Sequence, residues 1–188
     1  MSDQVNILEM MGGDAGAALE LVRLDSNETA IIPFTPSGER VSIHFCEETE
    51  IYGYVQCNGE SCILCRVGKK KEERVLIPVY LPTIDTIGVL PVSPSLRPHA
   101  LFPQLRPLLK AATLAVAFIK REGAKFTVST RALPQDANGG EAVVKKFLGE
   151  REAGRVDLKS VYQVIGNDQL AAVAEISRLM ELKGIKLS

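Results

Sequence analysis

All four cysteines of the chain and one of its two histidines fall within HFCEETEIYGYVQCNGESCILC, from His44 to Cys65. Twelve residues separate His44 from Cys57, four separate Cys57 from Cys62, and two separate Cys62 from Cys65. A metal site, a disulfide pair and incidental apolar placement are the three ways to read such a cluster. A Cys-x2-Cys pair preceded by a third thiolate and a histidine offers the four N/S donors that tetrahedral zinc takes. Asn58-Gly59 supplies a sharp turn that lets the flanking thiolates face one point. Thiolate and imidazole donors favour zinc over magnesium or calcium. A redox Cys-x2-Cys needs a strand-to-helix context, and Ile63-Leu64 followed by Arg66-Val67-Gly68 does not read as a helix start. Cys46, Cys57, Cys62 and Cys65 as plain buried hydrophobes is the competing reading. His44 and Cys46 lie on the same face of a strand, so either could complete the set. A closed four-ligand site leaves no position for substrate water and is structural rather than catalytic.

The surrounding sequence is that of a globular chain. Its 188 residues suffice for a real core, and 46% hydrophobic with 24% charged residues is ordinary. No apolar run is long enough to span a bilayer, and MSDQVNILEM lacks the basic and apolar regions of a secretory signal. The expected location is therefore the cytoplasm, where persistent disulfides are rare. A net charge of -1 means that any basic surface must be local.

Strand signals dominate the first two thirds. ETAIIPF, ERVSIHF, EIYGYVQ, RVLIPVYL and DTIGVLPV are short, β-branched or aromatic, and separated by turn residues. MMGGDAGAALELV reads as a frayed helix. A helix is expected from near Pro103, with Pro103 and Pro107 both in its first turn. LAVAFIKR and AKFTVSTR form a hairpin about Glu122-Gly123. After a loop at LPQDANGG come two helical stretches, EAVVKKFL and DQLAAVAEISRLMEL. The second is amphipathic through Leu170, Val173, Ile176 and Met180, and Gly184 stops it. The expected fold is α+β, mainly β: an OB-fold-like five-stranded barrel with a zinc-knuckle insertion and C-terminal helices. Residues 1–135 make the core, including the zinc segment 40–67, and residues 136–188 make a helical extension.

The pattern His-x12-Cys, then Glu-Ser and Cys-x2-Cys, resembles the zinc segment of the T-even-phage helix-destabilising proteins. IYGYVQC is similar to the aromatic strand before that family's first zinc cysteine, and GESCILCRV to its knuckle. LVRLDSNETAIIPFTP, VYLPTIDTIGVLPVSPSL and IKREGAKFTVS resemble barrel strands on either side. The resemblance is specific over about residues 40 to 67 and looser over residues 20 to 130. It implies an OB-fold that binds single-stranded DNA non-sequence-specifically in phage or prophage replication or recombination. It also implies a structural zinc held by His44, Cys57, Cys62 and Cys65, with Cys46 a bystander.

Single-strand binders combine a basic groove with aromatic faces that stack bases, each worth about 1–3 kcal/mol. Tyr52 and Tyr54 are the candidate stacking residues, sharing one face of a strand beside the knuckle. Lys69, Lys70, Lys71 and Arg74 flank the knuckle, while Lys120, Arg121, Lys125 and Arg131 decorate the later hairpin. A solvated hairpin tip is the competing reading of Lys69 to Arg74, and Phe118 and Phe126 read as core. The helices after residue 140 could dock replication or recombination proteins or mediate self-association. No phosphate loop, nucleophile elbow, zinc-protease helix or zinc-deaminase signature is present, so no enzyme is expected. Two other classes fit the same residues: a zinc-stabilised OB-fold protein-interaction module, and a metal-free enzyme or ligand-binding β-barrel.

Overall fold

A computed structural model describes residues 19–110, 115–133 and 140–186. Most of the expected N-terminal helix and residues 134–139 of the expected loop lie outside the described residues. Eight strands form one mixed sheet: β1 (Glu20–Leu21), β2 (Thr29–Pro33), β3 (Glu39–Cys46), β4 (Gly53–Gln56), β5 (Lys71–Leu81), β6 (Thr86–Val92), β7 (Ala115–Glu122) and β8 (Lys125–Ala132). Among the described residues five helices accompany it: α1 (Ile63–Arg66), α2 (Leu101–Lys110), α3 (Glu141–Glu152), α4 (Asn167–Ala172) and α5 (Ala174–Leu182). The chain is thus α+β. No helix among the described residues is long and apolar enough to cross a membrane.

Sheet order is β1-β6-β5-β2-β7-β8, with β3 pairing β5 and β4 pairing β3. Every ladder is antiparallel except the short β1–β6 pair. The expected OB-fold-like five-stranded barrel differs from this arrangement, for the described pairings leave the sheet open. The reason is strand β5, whose eleven residues outrun any single neighbour. Its first half pairs β3, from Glu39↔Leu76 to His44↔Lys71, and its last turns to β2 at Ile32↔Tyr80. One edge thereby feeds two branches, one ending at β4 and the other at β8.

The β5–β6 ladder is apolar on both faces, as a strand pair covered on both sides must be. Ile77, Val79, Leu81, Leu90 and Val92 face α2, where Leu101 and Leu105 cover them with Ile31, Ala117 and Ile119. Leu76, Tyr80, Ile87 and Val89 face the other way, under Phe147, Leu158 and Tyr162. A third cluster fills the space between β4, the knuckle and α4–α5. The C-terminal segment therefore starts on one face and wraps past the edge of β4 to the other. Gln163 bridges Val55 there, and the Gln56 N–H donates to the Gln163 carbonyl at 2.8 Å.

Several boundaries depart from the sequence reading. Helix α2 begins at Leu101, so Pro107 lies inside it rather than in its first turn. The ring removes one backbone bond, and burial of Leu101 and Leu105 holds the helix nonetheless. Gln104 also ties α2 to β8, donating to the Phe126 carbonyl at 2.8 Å and accepting from the Val128 N–H at 3.2 Å. Those groups lie on the outer edge of β8, which is thereby covered. The expected strand from Glu50 splits into a 3-10 turn, Thr49–Ile51, and β4. The charged run after Lys70 is the start of β5 and not a hairpin tip. The last amphipathic stretch breaks at Val173, which is extended and buried, into α4 and α5. Neither Pro nor Gly marks that break.

Candidate metal centre and aromatic patch

His44, Cys57, Cys62 and Cys65 come together with all four donor atoms within 4.8 Å of one another. Strand β3 presents His44, which is fully buried. Cys57 follows β4 directly, and its N–H donates to the Ser42 carbonyl at 2.8 Å, extending the ladder by one bond. Cys62 opens the single turn α1, with Arg66 N–H bonding its carbonyl at 3.1 Å. Gly68, at a φ of 88°, ends that turn after Cys65. A one-turn helix thus does follow Cys62, contrary to the sequence reading, because Ile63 and Leu64 are buried in the knuckle core.

The distances fit one tetrahedral ion. Ligand bonds of about 2.3 Å to sulfur and 2.0–2.1 Å to nitrogen imply tetrahedron edges of about 3.8 Å for S···S and 3.6 Å for N···S. The Cys57 and Cys65 sulfurs are 3.6 Å apart, and His44 Nε2 lies 3.6 Å from Cys62 Sγ and 3.4 Å from Cys65 Sγ. A disulfide needs about 2.05 Å, so all four cysteines are free thiols. His44 Nδ1 sits 3.1 Å from the Lys70 carbonyl, which can only accept. The proton therefore resides on Nδ1 and the Nε2 lone pair faces the sulfurs.

Electrostatics favours the same state. Burial lowers the His44 pKa, outweighing the carbonyls of Lys70 and Lys69, so the imidazole is neutral. Burial pushes Cys65 up to about 12, and the neighbouring Cys57 and Cys62 sulfurs add to it. Burial also opposes ionisation of Cys62, but the backbone N–H groups around its sulfur and the Cys57 thiol outweigh it, and the Cys62 pKa falls. A bound cation would stabilise all three as thiolates. Cys46, opposite Gly53, is fully buried beside Ile51 and Val67, and burial raises its thiol. It lies outside the donor set.

The shell around the donors comes from the far end of the chain. Asn58 Nδ2 donates to the Ile165 carbonyl at 2.8 Å and to Asn167 Oδ1 at 3.0 Å. Asn167 accepts from the Ile63 N–H at 3.3 Å and donates to the Ser61 carbonyl at 3.0 Å. Gln56 Nε2 donates to the carbonyls of Lys159 and Tyr162 at 2.8 and 3.2 Å. On the other flank, buried Glu48 pairs with Lys69 Nζ at 2.5 Å. Asn58 was legible as a turn residue, but nothing local to Asn167 announces its partner.

Tyr52 and Tyr54 are exposed, and so is Phe45, which sequence reasoning missed. Phe45 pairs with Tyr54 across β3–β4, with ring centroids 5.0 Å apart, and lies 5.6 Å from Tyr52. The signal for Phe45 was its alternation with His44 and Cys46 on a strand next to two tyrosines. Tyr162 continues the row inward, 6.0 Å from Tyr54.

The candidate cations fare less uniformly. Lys69 is held by Glu48, Lys70 and Arg74 by Glu72, and Lys120 by Glu122. Arg121 and Arg131 lie over the Phe126 and Phe118 rings, at 5.9 and 4.6 Å, so the hairpin arginines cover aromatic faces rather than leave them open. Lys71 and Lys125 are exposed and form no ion pair among the described residues. No protein-family model matches the chain, and a comparison with curated proteins found no match.

Proposed function

We propose that the chain is a non-enzymatic single-stranded-DNA-binding protein of the phage or prophage replication or recombination type, carrying a structural zinc at His44, Cys57, Cys62 and Cys65. The observation that carries the reading is the solvent-facing trio Phe45, Tyr52 and Tyr54 beside the knuckle. Aromatic side chains of that size are seldom left open together on a monomer without a partner to cover them. Each ring could stack one base, with the metal fixing the loop from which the row projects. Barrel closure is not needed, since a stacking row requires only a rigid strand pair. The zinc would be closed to substrate and hold the fold rather than take part in chemistry.

A zinc-stabilised protein-interaction module is the second reading. The carboxylates already paired with Lys69, Lys70, Arg74 and Lys120 favour it, for they leave fewer cations for a phosphate backbone.

The test is a titration with a labelled single-stranded oligonucleotide at low and moderate salt, with zinc quantified on the same sample. Tyrosine fluorescence gives a second readout, because the chain has no tryptophan and two of its four tyrosines, Tyr80 and Tyr162, are buried. One zinc per chain, salt-sensitive binding and quenching support the reading. Tyr52→Ala and Tyr54→Ala should each weaken binding by about 5- to 100-fold. Zinc without binding at low salt sinks it in favour of the interaction module.

A further inference from the structure

An open cleft of about 410 Å³ lies where β4 parts from β3, against the outer side of Cys57. Arg40 from β3, Lys71 from β5 and Lys159 from the 3-10 turn Leu158–Val161 line it together. They come from three segments far apart in sequence, and the C-terminal strap closes the group. Gln56 holds the Lys159 carbonyl from below, while the Cys57 N–H holds the Ser42 carbonyl beside it. None of the three cations has an ion-pair partner among the described residues. That sets them apart from Lys69, Lys70, Arg74 and Lys120 in the same chain. Glu60 is the one carboxylate lining the cleft, and Glu73 stands opposite Ser42 on β5, so three positive charges face two negative ones. Ser42 adds a hydroxyl with no side-chain hydrogen bond of its own among the described residues. Like charges drawn into one concavity repel, and an anion placed between them removes that cost.

We infer that this cleft is a phosphate-binding subsite, with Arg40, Lys71 and Lys159 as its cationic wall and Ser42 as a hydrogen-bond donor. Arg40 suits the fork geometry of two phosphate oxygens, and the lysines supply point charge. The phosphate is either that of a single strand's backbone or that of a free phosphate ion. As a backbone site the inference rests on the nucleic-acid reading, and as a free-phosphate site it does not. A strand lying over Tyr54 would meet the cleft three residues on, about 10 Å along β4 and past its end.

The experiment uses the full zinc-loaded chain, labelled with 15N, titrated separately with inorganic phosphate and with a short oligothymidylate. Expected are saturable shifts of the Ser42, Gln56 and Cys57 amides with both probes. Lys71→Gln combined with Lys159→Gln should abolish those shifts and lower the salt slope of oligonucleotide binding by roughly 1.4, about 0.7 for each lost contact. Shifts with phosphate alone support a free-phosphate site and defeat the nucleic-acid reading. Oligonucleotide binding that depends on Tyr52 and Tyr54, with cleft amides still and the slope unchanged, overturns the inference and leaves the function standing. Silence with both probes overturns both. If the double variant loses zinc while the wild-type amides ignore phosphate, the cations balance the metal thiolates and the inference is wrong.

Discussion

Two halves of this molecule reach a buried core by different means. Around α2, long ladders do the work: β5 pairs β6 from Val75↔Val92 to Leu81↔Thr86, and β7 pairs β8 from Ala115↔Ala132 to Glu122↔Lys125. Around the knuckle, β4 has four residues and α1 another four, too short to stand on backbone bonds alone. Their core, Val55, Cys62, Ile63 and Leu64, closes only with Leu170, Ile176 and Met180 from the C-terminal helices. Four donors aimed at one point and three side-chain amides take the place of a ladder. Regular pairing gives one half stability from its own sequence neighbourhood, while the other depends on a distant strap and, on the reading proposed above, on an ion.

Removing the metal should break this contrast most severely. Structural zinc sites contribute on the order of 10–16 kcal/mol in small domains. Chelation, or Cys62→Ser, should therefore strip hydrogen-exchange protection from residues 53–68 and 163–182 while the β5–β6 and β7–β8 amides stay protected. Loss across both halves together would mean that they form one cooperative unit.

Leu105→Ala probes the other half. Its fully buried side chain should cost about 2–5 kcal/mol in denaturant unfolding, with zinc content unchanged. Release of zinc by this variant would join the halves energetically.

Asn167→Ala should cost less, about 1–3 kcal/mol, by leaving the Asn58 amide, the Ile63 N–H and the Ser61 carbonyl without this partner. Its signature is faster zinc loss to a competing chelator, with the midpoint of the α2 half unmoved. An unaltered off-rate would show that the strap does not guard the site.

The smallest effect concerns acid. Burial pushes the Glu48 carboxyl up, but the ion pair with Lys69 prevails and holds it below the ordinary carboxylate range. A lowered folded pKa stabilises above the unfolded value of about 4.3, and that contribution disappears as pH falls through the folded value. Wild type and Glu48→Gln, both zinc-loaded, should thus diverge above about pH 4.3 and converge below it. Ligand protonation is common to both and cancels in the difference. Parallel pH profiles would remove Glu48 from the account.

The donor cluster was the most legible part of the sequence because its spacing is local: Cys57, Cys62 and Cys65 sit in one turn-rich segment. The choice between His44 and Cys46 was not legible, since strand alternation puts both on one face. Pairing decides it, for Cys57 lands beside Ser42 and His44, while Cys46 lies opposite Gly53 and turns into the apolar core. Strands β2, β3, β6, β7 and β8 fall on the short β-branched or aromatic runs that predicted them. Their assembly was not legible, because nothing within RVLIPVYL says that one edge will serve two partners. Likewise Lys120 and Arg131 read as free cations until the fold sets Glu122 and Phe118 against them. The break at Val173 is set by burial between two packed helices, a tertiary cause with no local residue to signal it.

The bond between Asn58 and Asn167 spans 109 residues. At a synthesis rate of about 5–20 residues per second, the cysteines wait roughly 5 to 20 s for the segment that covers them. During that interval the nascent knuckle is open to metal, to oxidants and to chaperones alike. On the reading proposed above, an ion bound in that interval would be covered by a segment still being made, and the timing of translation would bear on how the site is loaded.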